Sequence, residues 1–281
     1  MKQVTIIGTG LVGGSLALAL KKHAPQLRLI GCDREPVLEQ ARSAGAIDAG
    51  FTGAEQSVKD SDLVVLATPV GSIIDLIERI GPVAPSHSLI TDVGSTKSEI
   101  MARAKDVFGA EAAHRFLPGH PMAGKEHGGI EHAEAELFTG AAWLLTPYAE
   151  QDLNSGAIRE YLQLLNQIGA RVLPIDPAQH DRICAWVSHL PQMLSTALAS
   201  TLVEELANDS DANAIGGRAL REMTRIAQSP YSMWRDVALT NTQNIQDALL
   251  RVEQKLAHIR ENLRTRELEE EFERANQFRK S

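Results

Sequence analysis

Short runs of β-branched and aliphatic residues alternate with amphipathic stretches through the first 175 residues, the pattern of parallel strands covered by helices on both faces. The runs predict strands at about 3–8, 27–32, 62–68, 88–93, 114–118, 141–146 and 171–175. With helices between most of them, the expected fold is α/β, a doubly wound parallel sheet of the Rossmann type. After Leu173-Pro174-Ile175-Asp176-Pro177 the strand pattern stops, and the rest reads as helix with breaks near Asn208–Asn213, Gly216-Gly217 and Ser229-Pro230. The chain therefore divides into an α/β unit, residues 1–175, and an all-helical unit, residues 176–281. In the last helix Ile245, Leu249, Val252, Leu256, Ile259 and Leu263 alternate spacings of four and three. Such a narrow seam needs a partner, either its own unit or a second chain. The helix is expected to run nearly to Ser281, with the charged stretch Glu267–Arg274 as a solvated face paired a turn apart.

Composition narrows the function classes. The chain has 281 residues, 43 % apolar and 23 % charged, enough to bury a core, and with 4 % aromatics that core is aliphatic. Against 36 Asp+Glu stand 28 Lys+Arg, a net charge of −8, which argues against nucleic acid as a partner. Cys32 and Cys184 lie in apolar surroundings without CxxC or Cys/His ligand spacing, so neither a disulfide framework nor a metal site is expected. A reducing compartment, the cytoplasm, is the default. Residues 4–20 carry no charge, but their four glycines and the missing small-residue cleavage site argue against a secretion signal or membrane span.

The first strand runs into Gly8-Thr9-Gly10-Leu11-Val12-Gly13-Gly14 and then an apolar helix, a GxGxxG turn in the strand-to-helix context that gives it meaning. Gly8 permits the tight turn, Gly10 a close pyrophosphate, and Gly13 close helix–strand packing, with Leu11 and Val12 opening the helix toward the phosphates. A second strand ends at Asp33, 20 residues after Gly13. A carboxylate there accepts both ribose hydroxyls and repels a 2′-phosphate, favouring NAD; the adjacent Arg34 leaves NADP open. The strand over 62–68 ends in Thr68-Pro69, a turn that faces either the same crevice or nothing in particular.

Among nine histidines, two stand out. His120 lies in Gly119-His120-Pro121, on what reads as a constrained turn after a strand. His189 lies in Trp186-Val187-Ser188-His189-Leu190-Pro191, where Pro191 is expected to kink a helix.

Taken together, GTGLVGGS, TDVGSTK at 91–97, GHPMAGKE at 119–126, WVSHLP at 186–191 and MTRIA at 223–227 resemble the prephenate and arogenate dehydrogenases of tyrosine biosynthesis, in that family's order. The resemblance spans residue 4 to about 240. It implies oxidative decarboxylation of a cyclohexadienyl substrate by NAD, in a two-unit chain whose helical part forms a homodimer. By position, His120 resembles the catalytic histidine and Ser95 the serine that orients it. Arg225 resembles a carboxylate-binding arginine, His189 a substrate-binding histidine, and Glu126 an acidic residue of the ionic network at the site's mouth. Two positions depart from the family pattern: Glu222 where Asp is frequent, and Ser229-Pro230-Tyr231 where Ser-Asp-Pro is frequent. Two other classes fit the sequence less fully. One is a related two-domain hydroxyacid dehydrogenase with Lys97 as its catalytic lysine, although Lys97 reads more simply as a helix-start or phosphate-side residue. The other is a non-catalytic NAD-sensing protein.

Overall fold

The structure, a computed structural model, describes residues 1–125, 127–206 and 215–280. Six parallel strands form the main sheet: β1 (Gln3–Ile7), β2 (Arg28–Cys32), β3 (Ala49–Phe51), β4 (Leu63–Leu66), β5 (Leu89–Asp92) and β6 (Phe116–Leu117), in the spatial order β3-β2-β1-β4-β5-β6. That is the doubly wound arrangement, with the strand order reversing between β1 and β4 and a crevice opening at their carboxyl ends. The unbroken apolar runs of the sequence follow from burial of both faces. In β4, Leu63 and Val65 enter one core cluster while Val64 and Leu66 enter the other.

Helices fill the connections: α1 (Leu11–His23), α2 (Glu35–Ser43), the short α3 (Ala54–Ser57), α4 (Val70–Ile80), α5 (Ser98–Phe108), the short α6 (Ala112–Arg115) and α7 (Gly156–Gln167). Along α4 the buried residues Val70, Ile73, Leu76, Ile77 and Ile80 make one stripe at helical spacing, facing the sheet. The predicted strands at 141–146 and 171–175 form, but not in the main sheet. They are β8 (Ala142–Leu145) and β9 (Arg171–Pro174), and with β7 (Gly119–Pro121) they build a separate three-stranded sheet in which β7 is antiparallel to β8. Pro118 separates β6 from β7, and a residue without an N–H ends the pairing with β5 and redirects the chain. His120 is therefore a strand residue, opposite Leu144, and not on a turn. The strand β3 escaped the sequence reading because Ala-Gly-Phe carries no alternation to detect.

Beyond β9 the described chain is helical. α8 (Pro177–Cys184) continues through a π-helical turn, Ala185–His189, into α9 (Leu190–Glu205), with Pro191 in the first turn of α9. The expected kink thus takes the form of one widened turn. The break expected near Asn208–Asn213 lies outside the described residues. The breaks at Gly216-Gly217 and Ser229-Pro230 precede the helices Arg218–Thr224 and Tyr231–Thr240. The long C-terminal helix is two helices, Thr242–Glu261 and Arg266–Lys280. Asn262 caps the first by donating from its side chain to the carbonyl of His258 (3.0 Å), a local bond that competes with continued helix. Lys255 pairs with Glu271 across the break at 2.9 Å, and Arg274 bonds Glu270 and Glu271. Along the predicted seam Ile245 is buried, but Leu256 and Leu263 are 56 % and 61 % exposed.

Two carboxylates of the helical part dock it onto the sheet by satisfying orphan amides at helix N-termini. Asp181 of α8 accepts from the amides of Lys97 (2.8 Å) and Ser98 (2.9 Å) at the start of α5. Asp236 accepts from the amide of Gly71 (2.9 Å) at the start of α4. Both helices begin at the carboxyl edge of the main sheet, so the helical part closes over the crevice.

Candidate active site

The crevice holds two neighbouring cavities, with the glycine turn between them. The first, about 510 Å³, is lined by Gly8, Asp33, Arg34, Thr68 and Arg79 among others. Gly8 sits at φ +93°, and a Cβ there would lie 2.3 Å from the carbonyl oxygen of Ala67. A Cβ at Gly13 would lie 1.9 Å from the carbonyl of Gly8, so α1 can leave the turn only through glycine. At Gly10, by contrast, a Cβ meets nothing within 4 Å. Asp33 is held at the cavity edge by the amides of Thr9 (2.8 Å) and Arg34 (2.8 Å). The hydroxyl of Thr68 is buried without a hydrogen-bond partner among the described residues. A rigid glycine turn, a fixed carboxylate and an orphan hydroxyl together fit a dinucleotide laid along the edge of the sheet. Pro69 precedes the first residue of α4 and is absent from the lining of this cavity.

The second cavity, about 460 Å³, is lined by Leu11, Val12, Ser95, His120, Gln192 and Arg225 among others. Residues far apart in sequence thus meet where the glycine turn opens into α1. His120 is almost fully buried, and its Nδ1 lies 2.9 Å from Nε2 of His180. Burial pushes its pKa well down, and the neighbouring His180, Lys97 and His189 push the same way. The ring is neutral at neutral pH. Ser95 lines the cavity, but the hydrogen-bond partner that orients His120 is His180, a residue the sequence reading passed over.

His189 is placed differently. It is 0 % exposed, not among the lining residues, and packed edge-on against Trp234 with ring centroids 6.0 Å apart. The amide nitrogen of Asn241 donates to its Nδ1 (3.1 Å) and to the carbonyl of Asp181 (2.8 Å), while Asn244 donates to the amide oxygen of Asn241. With Nδ1 accepting, His189 carries its proton on Nε2, and that atom is buried without a partner among the described residues. Burial lowers the His189 pKa from the usual 6.5 to about 4. The unfolded chain therefore binds this proton before the folded one does. The contribution of the neutral ring to stability is complete above pH 6.5 and is lost as pH falls toward 4, a difference of about 3 kcal/mol. Urea unfolding at neutral pH and at about pH 4 should show this slope, reduced by about that amount in His189→Gln.

Lys97 stands at a helix start, immediately before α5, as expected, but its side chain turns inward. It is completely buried, bonded to Asp92 and to the carbonyl of Gly119 (2.6 Å), and it lines neither cavity. Asp92 in turn accepts from the amides of Gly94 (2.8 Å) and Gly119 (3.2 Å). Burial pushes the Asp92 carboxyl up and the Lys97 amine down, and their mutual attraction opposes both shifts. Lys97 is neither a phosphate-side lysine nor positioned as a base. Glu126 lies outside the described residues. The side chain of Glu222 is taken up by Arg218 at 2.7 Å.

Cys184 stands beside the histidine pair, its sulfur 3.6 Å from Nε2 of His180. His120, His180 and Cys184 thus bring three donor atoms within 4.8 Å, against the expectation of purely apolar surroundings at Cys184. The thiol is pushed up to about 12 by burial, and the two ring nitrogens are at hydrogen-bond distance, closer than a shared tetrahedral metal at about 2.0 Å from each would hold them. His180 and Cys184 are one helical turn apart, which the sequence does display. Their approach to His120, sixty residues earlier, it does not.

The chain was compared with known proteins. A family model described as "Prephenate dehydrogenase, nucleotide-binding domain" matches residues 16–174, and one described as "Prephenate dehydrogenase, dimerization domain" matches 176–277. Prephenate dehydrogenases of Bacillus subtilis and Lactococcus lactis are 36 % and 32 % identical over 87 % and 86 % of this chain. The matches span 65 % and 66 % of those two relatives, just under two thirds of their length. The crystal structure of prephenate dehydrogenase from Aquifex aeolicus, in complex with hydroxyphenyl propionate and NAD+, superposes with a TM-score of 0.88 at 30 % identity, over 100 % of this chain and 96 % of that one. Among the described residues no helix is long and apolar enough to cross a membrane.

Proposed function

This chain belongs to the prephenate dehydrogenase family, and we propose that it oxidatively decarboxylates prephenate, arogenate or both, with hydride passing to NAD, on the route to tyrosine. The carrying observation is the shared cavity: Ser95, His120 and Arg225 line one space that begins at the glycine turn. Such a substrate ring bears a secondary alcohol at one end and a carboxylate at the other, one step from aromaticity. NAD, when bound along the glycine turn from Gly8 to Gly13 with Asp33, Arg34 and Thr68, supplies the hydride acceptor. As hydride leaves the alcohol carbon, the C–O bond gains double-bond character; the ring carboxylate then departs as carbon dioxide and its bonding electrons complete the aromatic ring.

The protein's part is to bind and to stabilise charge. The neutral imidazole of His120 accepts the hydrogen bond of the ring hydroxyl, an interaction that strengthens as positive charge develops there and so lowers the barrier. Ser95, which lines the same cavity, is assigned to the nicotinamide end. The planar guanidinium of Arg225 suits a substrate carboxylate. His189 does not line this cavity, so the substrate contacts assigned here are those of His120 and Arg225, and Glu126 is assigned to the mouth of the site by the family resemblance alone. Removing the guanidinium in Arg225→Ala should raise KM about 10–100-fold, the weight of one lost charge-assisted contact of roughly 1.5–3 kcal/mol. A constant KM with lowered thermal stability would make Arg225 a structural ion-pair residue instead.

We place the boundary between the dinucleotide-binding and helical units near residue 175, supported by the end of strand structure at Pro174. A homodimer in the cytoplasm completes the reading, with small molecules and not nucleic acid or membrane as its other partners. The helical half supports it: Val203, Met223 and Leu239 are 60–70 % exposed there, and its own buried cluster is small. The deciding experiment follows reduced cofactor when the purified chain meets prephenate or arogenate with NAD or NADP. Turnover of neither substrate overturns the proposed reaction, and a preference for NADP overturns the role given to Asp33.

A further inference from the structure

We propose that His180 and Asp181 are positioning residues that fix the proton of His120 on Nδ1 and so present Nε2 to the substrate as a bare acceptor. The inference rests on the reaction proposed above but is carried by hydrogen bonds alone. Asp181 is its fixed end. Its Oδ1 accepts from the amide of Lys97 (2.8 Å) and its Oδ2 from the amide of Ser98 (2.9 Å). Backbone amides only donate, so both oxygens are held as acceptors. The Nδ1 of His180, 2.9 Å from Oδ1 of Asp181, must therefore carry hydrogen. A neutral His180 then has a bare Nε2, and the contact of 2.9 Å with Nδ1 of His120 is satisfied only if His120 donates. Nε2 of His120 is left without a proton, in the cavity that the ring lines.

Among the described residues the groups around the pair leave this assignment in place. The sulfur of Cys184 lies 3.6 Å from Nε2 of His180 and 4.0 Å from Nδ1 of His120, and as the weaker and more distant donor it does not displace His120 from the single lone pair of Nε2. The amine of Lys97 is committed to Asp92 and Gly119, and His189 to Asn241. Function follows from the sign of the contact. A hydroxyl that is losing hydride from its carbon needs an acceptor for its proton, and the opposite tautomer would confront it with a second donor. As charge develops on His120, its Nδ1–H can lean toward His180, and the carboxylate at 181 stabilises the result. The logic is that of a histidine held in one tautomer by an aspartate, with a second imidazole interposed. It also means that the helical part, by capping α5 with Asp181, sets the chemistry of a residue on β7.

The ring nitrogens can be read directly by ¹⁵N NMR of histidine-labelled full-length protein, with the signals of His120 identified by their loss in His120→Asn. The expected wild-type pattern is a protonated Nδ1 and a bare Nε2. In Asp181→Asn the amide can turn its NH₂ toward His180, so His120 should exchange its proton to Nε2, kcat should fall about 10²–10⁴-fold, and both KM values should stay within about twofold. Because that change also alters a helix cap, His180→Gln and His180→Leu make the same test with Asp181 intact. Gln retains an oxygen to accept from His120 and should keep kcat within about tenfold, whereas Leu should lose about 10²-fold or more. A wild-type His120 protonated on Nε2, or an unchanged tautomer and kcat in Asp181→Asn, or equal kcat in the Gln and Leu variants, would overturn the assignment. The NMR pattern does not depend on turnover, so a wild-type protein with the expected tautomer and no activity on either substrate would uphold the assignment while sinking the reaction.

Discussion

His120→Asn should lower kcat by about 10²–10⁴-fold while leaving KM nearly unchanged, the range for a lost acid–base contact made chiefly in the transition state. Asparagine is smaller and polar, and its amide can still bond across to His180, so the strand opposite Leu144 need not be disturbed. What it lacks is a basic nitrogen. Its carbonyl can accept a hydrogen bond from the ring hydroxyl in the ground state, which preserves binding, but it gains little as positive charge appears on that oxygen. The separation of kcat from KM is thus the signature of the role. Equal turnover in the variant would remove His120 from the chemistry, and a parallel fall in thermal stability would reassign it to the core. Steady-state kinetics together with a melting curve separates the three outcomes.

How much of this was legible in the sequence differs between the two halves of the site. The nucleotide side is local: strand, glycine turn and helix occupy consecutive residues, and the steric reasons for Gly8 and Gly13 act within the same turn or against the adjacent strand end. Spacing alone therefore locates it. The catalytic side is assembled by tertiary contacts. His120 was identifiable, but its partner is sixty residues away on α8, and the aspartate behind that partner is fixed by amides on α5. No periodicity reports such contacts. Splitting of the strands into two sheets was hidden for a related reason, since β7 has only three residues and pairs with β8 across an intervening loop. Within the helical part the heptad-like spacing was visible, but the stop at Asn262 goes with local side-chain bonds to His258 and Thr265 that no hydrophobic pattern encodes.

Lys97→Met should destabilise the protein by about 3–5 kcal/mol, the cost of leaving one partner of a buried ion pair without the other. Both side chains are completely inaccessible, and water cannot replace the lost ammonium around Asp92. Against a typical total of about 5–15 kcal/mol, that loss is large enough to appear as a lowered midpoint in urea and a lower melting temperature. Activity should fall with it, because the same amine holds the carbonyl of Gly119, the residue before His120 on β7. Adding Asp92→Asn to Lys97→Met should recover part of the stability, since the stranded charge is then gone, although the amides of Gly94 and Gly119 keep only a neutral acceptor. A lysine acting as a catalytic base would behave in the opposite way. Its loss would abolish turnover at unchanged stability, and the second substitution would restore nothing. The double-mutant cycle in stability therefore separates the hydroxyacid-dehydrogenase reading, which needs a reactive lysine, from an arrangement in which the lysine holds the catalytic strand in place.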